Sequence, residues 1–133
     1  MNTALDHSFI LRWLAERIVC PQFAVVATVL TGTLGVRHMR ARRFPDGVTV
    51  ALTLERGPQQ AAEACLLLAA TPEARDDALY LADNQLWLLR RYPTALAETE
   101  LDLLFKQQQA LAALLLVTDQ GGATPLPIAG RYV

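Results

Sequence analysis

Residues 48–54 alternate without interruption: Val48, Val50, Leu52 and Leu54 fall on one parity, Thr49, Ala51 and Thr53 on the other. Successive side chains of a strand point to opposite faces, so this run predicts a strand with one apolar face. Pro45-Asp46-Gly47 just before it is a turn signal, because proline presets φ and glycine accepts the positive φ that other residues resist. Residues 36–44 alternate as well, with His38, Arg40, Arg42 and Phe44 on one face and Arg37, Met39, Ala41 and Arg43 on the other. Neither face is wholly apolar, which predicts a partly solvated strand. The Val-rich stretch 23–30 reads as a buried strand, and Thr31-Gly32-Thr33 as the turn after it. Three strands joined by short turns predict an antiparallel meander.

Helical periodicity brackets the meander. Over residues 5–19, Phe9, Ile10, Trp13, Leu14 and Ile18 recur at spacings of three and four, with Asp6 placed to cap the start and Pro21 to end the helix. Pro58 suits a first helical position, and residues 59–70 are nearly all Ala and Leu until Thr71-Pro72. The competing reading of that segment is a strand at residues 65–69. Residues 78–82 and 86–92 flank Asp83-Asn84, both tolerant of the left-handed region, and predict a hairpin. Thr99 with Asp102 resembles a capping box, ahead of a stripe formed by Leu101, Leu104, Phe105, Leu111, Ala112 and Leu115. Gly121-Gly122 closes that helix. The resulting expectation is one α+β domain over residues 1–117, in the order α-β-β-β-α-β-β-α, with a flexible C-terminal tail over residues 118–133.

Charge and hydropathy limit the partners. The net charge is −1, so no global field favours nucleic acid or an anionic membrane. Residues 18–36 carry no charge and approach the length of a spanning helix, but Pro21, Gly32, Gly35 and the Val-Thr content favour strands, so no membrane span is expected. The mean hydropathy of +0.24 leaves apolar surface to be hidden against another subunit, and a homodimer is the expectation. Arg37, Arg40, Arg42 and Arg43 crowd one segment. Such arginines either cover a sheet face with their long stems or meet acidic protein partners, with nucleic acid the remaining alternative. Cys20 and Cys65 lie far apart and read as reduced core residues of a cytoplasmic protein, and the first residues lack the pattern of a secretory signal.

The residue sets of familiar catalysis are missing. His7 and His38 have no Cys, Asp or Glu at ligand spacing, so no metal is expected. Ser8 lacks the glycine-flanked elbow of a nucleophile, and Gly32-Thr33-Leu34-Gly35 is too short to cradle a phosphate. Asp76-Asp77 and the group Glu98, Glu100, Asp102 are acidic clusters, the second placed where a helix N-terminus favours negative charge. Trp13 and Trp87 are either interface anchors or core residues. Neither an enzyme nor a cofactor is expected.

The succession of elements resembles the class I chaperones of type III secretion systems, most closely in LYLADNQLWLLRRYP followed by LAETELDLLFKQQQALAALL. The resemblance implies a twisted antiparallel sheet with three helices, a cytoplasmic homodimer, and binding without ATP of an extended segment from a secreted effector or a regulatory protein. By position in that pattern the dimer interface would hold Leu66, Leu67, Leu68, Leu86 and Leu88. The partner surface would hold Phe9, Trp13, Val25 and Met39, with Arg40 and Arg42 from the arginine-rich strand. The family is typically strongly acidic, and this near-neutral chain is closer to chaperone-like regulators of plant-pathogen secretion clusters, which link secretion to gene expression. Two other readings share the general architecture: a stand-alone YbjN-like sensory or stress protein, and a roadblock-like GTPase regulator, in which the central helix follows two strands and precedes three.

Overall fold

The strand with the cleanest alternation lies inside the sheet. In the computed structural model, which describes residues 7–26, 28–54, 58–72 and 77–121, that strand is β4 (Gly47–Thr53), flanked on both sides by antiparallel neighbours. The chain runs α1 (His7–Ala15), β1 (Val19–Ala24), β2 (Val29–Leu34), β3 (Arg37–Phe44), β4, a single 3-10 turn (Pro58–Gln60), α2 (Ala61–Ala69), β5 (Asp77–Ala82), β6 (Gln85–Pro93) and α3 (Glu98–Gly121). The architecture is α+β, with one six-stranded antiparallel sheet in the order β1-β2-β3-β4-β6-β5. A meander fills one side. The chain then crosses through α2 to the far edge and returns by a hairpin, which sets β6 beside β4.

The meander holds four strands where sequence reading expects three. The Val-rich run 23–30 is broken by a turn that contains none of the usual turn residues. Val25 and Val26 take φ of 52° and 53°, a region β-branched side chains resist. The turn is tied by the Thr28 hydroxyl, which donates to Val25 O at 2.6 Å, and by the Thr28 N–H, which donates to Ala24 O. The expected turn at Thr31-Gly32-Thr33 lies instead within β2, and the chain reverses at Gly35, where φ is +64°. Gly32 serves packing instead. A Cβ there would come within 2.6 Å of Ile18 Cδ1, so the bare backbone admits the Ile18 side chain.

Other boundaries shift for physical reasons. Helix α1 stops at Ala15, short of Pro21, which sits in the edge strand β1 where a missing N–H breaks no sheet ladder. The expected Asp6 cap lies outside the described residues. Pro58 opens the 3-10 turn rather than α2, and residues 65–69 are helical, not a strand. Asp83 and Asn84 take φ of 54° and 63°, the left-handed pair that the hairpin turn requires. At the start of α3 the side chain that reaches back is Glu100, whose Oε1 accepts the Ala97 N–H at 2.8 Å, while Asp102 pairs with Lys106 at 3.1 Å. Helix α3 ends at Gly121, where Gly121-Gly122 predicts its close, so residues 118–121 of the expected tail are helical; residues 122–133 lie outside the described set.

One face of the sheet packs against the helices. Ile10, Leu11 and Leu14 of α1 and Leu101, Phe105, Leu111 and Leu115 of α3 join Leu30, Met39, Val48, Val50, Leu52, Leu86, Leu88 and Tyr92 from the strands in one core. Trp13 and Phe105 meet edge to face, with centroids 5.7 Å apart. A polar staple crosses this core. Gln108, fully buried in the apolar stripe of α3, donates through Nε2 to Val50 O at 2.9 Å and Leu88 O at 3.2 Å, and its Oε1 accepts the Tyr92 hydroxyl at 2.6 Å. Beside it Arg90 forks onto Asp77 at 2.6 and 2.7 Å and donates to Gln107 Oε1. Burial holds the Tyr92 phenol far above its ordinary range, with the Arg90 charge opposing.

Candidate functional site

Residues nominated from sequence divide between the core and the surface. Trp13 and Met39, expected to meet a partner, are core residues at 3% and 1% exposure, because α1 and β3 turn those positions towards the helix-covered face. Leu86 and Leu88, expected at a dimer interface, are buried in the same core, since the parity of β6 points them under the helices. Phe9 is half-buried against the core. Leu67 and Leu68 pack on it in part, while Leu66 stands 74% exposed. Val25 is exposed at the tip of the β1–β2 hairpin. Both cysteines, expected in the core, are exposed: Cys20 in the edge strand and Cys65 on the outer side of α2.

Arg40 and Arg42 lie on the other face of the sheet, which the helices leave bare. Register explains its relief. The outward residues of central β4 are Thr49, Ala51 and Thr53, all small. Arg42 and Arg91 flank Thr49 from β3 and β6, and Arg40 and Leu89 flank Ala51. Large side chains on both sides of a strand of small ones cover Ala51 and Thr53 and leave a hollow that opens over Thr49. Arg40, Arg42, Phe44, Tyr80 and Leu89 bound a cavity of about 280 Å³ over Thr49 and Ala51. A second hollow of about 500 Å³, lined in part by Thr31, Thr33, His38, Arg40, Asp83 and Trp87, continues towards β1.

Guanidinium groups cover the aromatic rings here. Arg40 lies 4.9 Å from the centroid of Trp87, which stacks on Tyr80 at 6.1 Å and 13°. Arg42 and Arg91 both approach the Phe44 ring, at 5.7 and 5.9 Å from its centroid. Trp87 is therefore buried outside the helical core, and its indole N–H donates to Ala82 O at 3.1 Å. Burial pushes the Tyr80 phenol up, against the pull of Arg40. The acids nearby, Asp83 and Asp46, are exposed turn residues 3.7 and 3.8 Å from Arg40 and Arg91, which makes them weak, screened partners. Sequence reading places Arg40, Arg42 and Phe44 on one face by alternation but does not join Tyr80, Trp87, Leu89 and Arg91 to them. Their convergence depends on β6 pairing with β4 across the long α2 connection, which no local pattern announces.

Two more surfaces are uncovered. Every residue of β1 is exposed, including Val19 and Phe23, and the strand has a neighbour on one side only. It carries a bulge between Val19 and Gln22, where Cys20 takes φ of 55°. On α2, Ala62, Cys65, Leu66 and Ala69 form an exposed stripe at helical spacing.

Among the described residues no group of three or more His, Cys, Asp or Glu side chains converges, and no helix is long and apolar enough to cross a membrane; residues 18–36 form most of a β-hairpin instead. No family model, curated protein sequence or solved structure matches the chain.

Proposed function

We propose that this protein is a cytoplasmic, type III secretion chaperone-like homodimer that holds an extended segment of a secreted or regulatory protein, by binding alone and without ATP. The observation that carries the reading is β1: an edge strand, exposed along its whole length and largely apolar, whose outward backbone groups over residues 22–24, beyond the interruption at Cys20 and Pro21, can pair with an added strand. The succession α-β-β-β-β-α-β-β-α is in rough accord with it, differing from the α-β-β-β-α-β-β-α order of such chaperones by one added strand in the meander. The exposed stripe on α2 supports a second copy as its cover, centred on Leu66 rather than on Leu86 and Leu88. The roadblock-like reading loses ground, since α2 follows four strands and precedes two.

Purification of the tagged chain from its native host tests the reading. A secreted or regulatory protein of the secretion system is expected to co-purify, and light scattering is expected to give the mass of two chains. Phe23→Asp together with Val19→Asp should lower partner recovery at least tenfold without moving the thermal midpoint. Recovery of neither kind of partner, or equal recovery by the β1 variant, would overturn it.

A further inference from the structure

We propose that the bare sheet face is a docking site for an acidic, extended segment of another protein, which lies across the hollow over Thr49 with its carboxylates on Arg40, Arg42 and Arg91. The proposal deepens the partner-binding reading above but uses a different surface from β1. Charge complementarity carries it. Three arginines and His38 project from this face, and the nearby acids are turn carboxylates at long, exposed separations. Arg40 and Arg42 are two residues apart on one strand, hence about 7 Å apart on the same side, which matches carboxylates at alternate positions of an extended peptide.

The guanidinium groups are held ready for such a ligand. Contact with the rings of Trp87 and Phe44 holds the three side chains over this face, and Arg42 and Arg91 stay exposed to meet carboxylates. The same contact argues against nucleic acid, whose bases would need those ring faces as platforms. Thr49 lies half-buried at the floor of the hollow with Ala51 covered beside it, and Leu89 and Tyr80 offer apolar contact between the charges. The occupant belongs to another protein. Residues 122–133 contain no acid and residues 1–6 only one, while on α3 Glu100 caps the helix and Asp102 is paired with Lys106.

Fluorescence anisotropy with the full chain and a labelled peptide of alternating Glu and Val tests the proposal. Binding is expected to weaken as salt rises, and to fall on the order of tenfold for each arginine removed in Arg40→Gln and Arg42→Gln. Arg43→Gln, an exposed arginine on the opposite parity of β3, should bind as the parent does. Should Arg40→Gln unsettle the fold, Arg42→Gln with Arg91→Gln, both exposed, carries the same expectation. Unchanged binding in the arginine variants, or tighter binding of a single-stranded oligonucleotide of equal charge, would overturn the acidic-peptide site. Loss of peptide binding in Phe23→Asp would overturn it by moving the peptide to β1. Failure of the peptide to bind while β1-dependent partner capture persists would reject this site and leave the chaperone-like reading standing.

Discussion

The two faces of the sheet use arginine in opposite ways. Under the helices Arg90 is buried, its guanidinium forked onto the fully buried carboxylate of Asp77 and its remaining donors spent on Gln107 Oε1 and Leu104 O. On the bare face Arg40 leans over Trp87 beside the Tyr80 hydroxyl and an exposed Asp83 at 3.7 Å, and stays half-exposed. A satisfied charge inside a core gives one arrangement of β5, β6 and α3 and has nothing to offer a ligand. A stacked, half-exposed one contributes little to folding and is ready to pair. The same residue type on one sheet thus marks structure on one side and recognition on the other.

Removal of Arg90 breaks this contrast most severely. Arg90→Met leaves the Asp77 carboxylate buried and unpaired, and should destabilise the fold by about 3–5 kcal/mol in urea denaturation. Combining it with Asp77→Leu should restore much of that loss, because an apolar pair of similar volume avoids the desolvation of both charges.

The staple responds to pH as well as to mutation. Tyr92→Phe removes the hydroxyl that Gln108 accepts and should cost about 1–2 kcal/mol. The folded-state phenol is held above its unfolded value, so its stabilising share is intact below about pH 10 and is lost as pH climbs beyond that point. The parent should therefore lose stability more steeply in alkali than Tyr92→Phe, measured by unfolding at successive pH values.

The edge offers a gain rather than a loss. Val26→Gly relieves a left-handed β-branched residue and should stabilise by about 0.5–1 kcal/mol, read from the thermal midpoint. The smallest effect belongs to the bare face: Arg42→Gln should change stability by no more than about 0.5 kcal/mol. A loss as large as that of Arg90→Met would erase the distinction between the faces.

Local chemistry makes much of this fold legible. Asp83-Asn84 marks its hairpin, the 48–54 alternation its central strand, and the stripe from Leu101 to Leu115 its long helix. The polar member of that stripe, Gln108, carries no signal of its own, because its partners are carbonyls of strands distant in sequence. The β1–β2 turn is hidden because Val25 and Val26 violate the preferences by which turns are recognised. Parity predicts that Met39 and Arg40 face opposite ways, but not which face the helices cover. That choice is made by α1 and α3 together, and it separates the core residues Trp13, Met39, Leu86 and Leu88 from the exposed arginines.

Hydrogen exchange on the complex with a co-purified partner tests most directly whether recognition belongs to the surfaces the helices leave bare. Protection is expected to rise in β1 and across the open-face strands β3 and β4, with α1 and α3 exchanging as in the free protein. New protection confined to α1 and α3, with β1 unchanged, would contradict it.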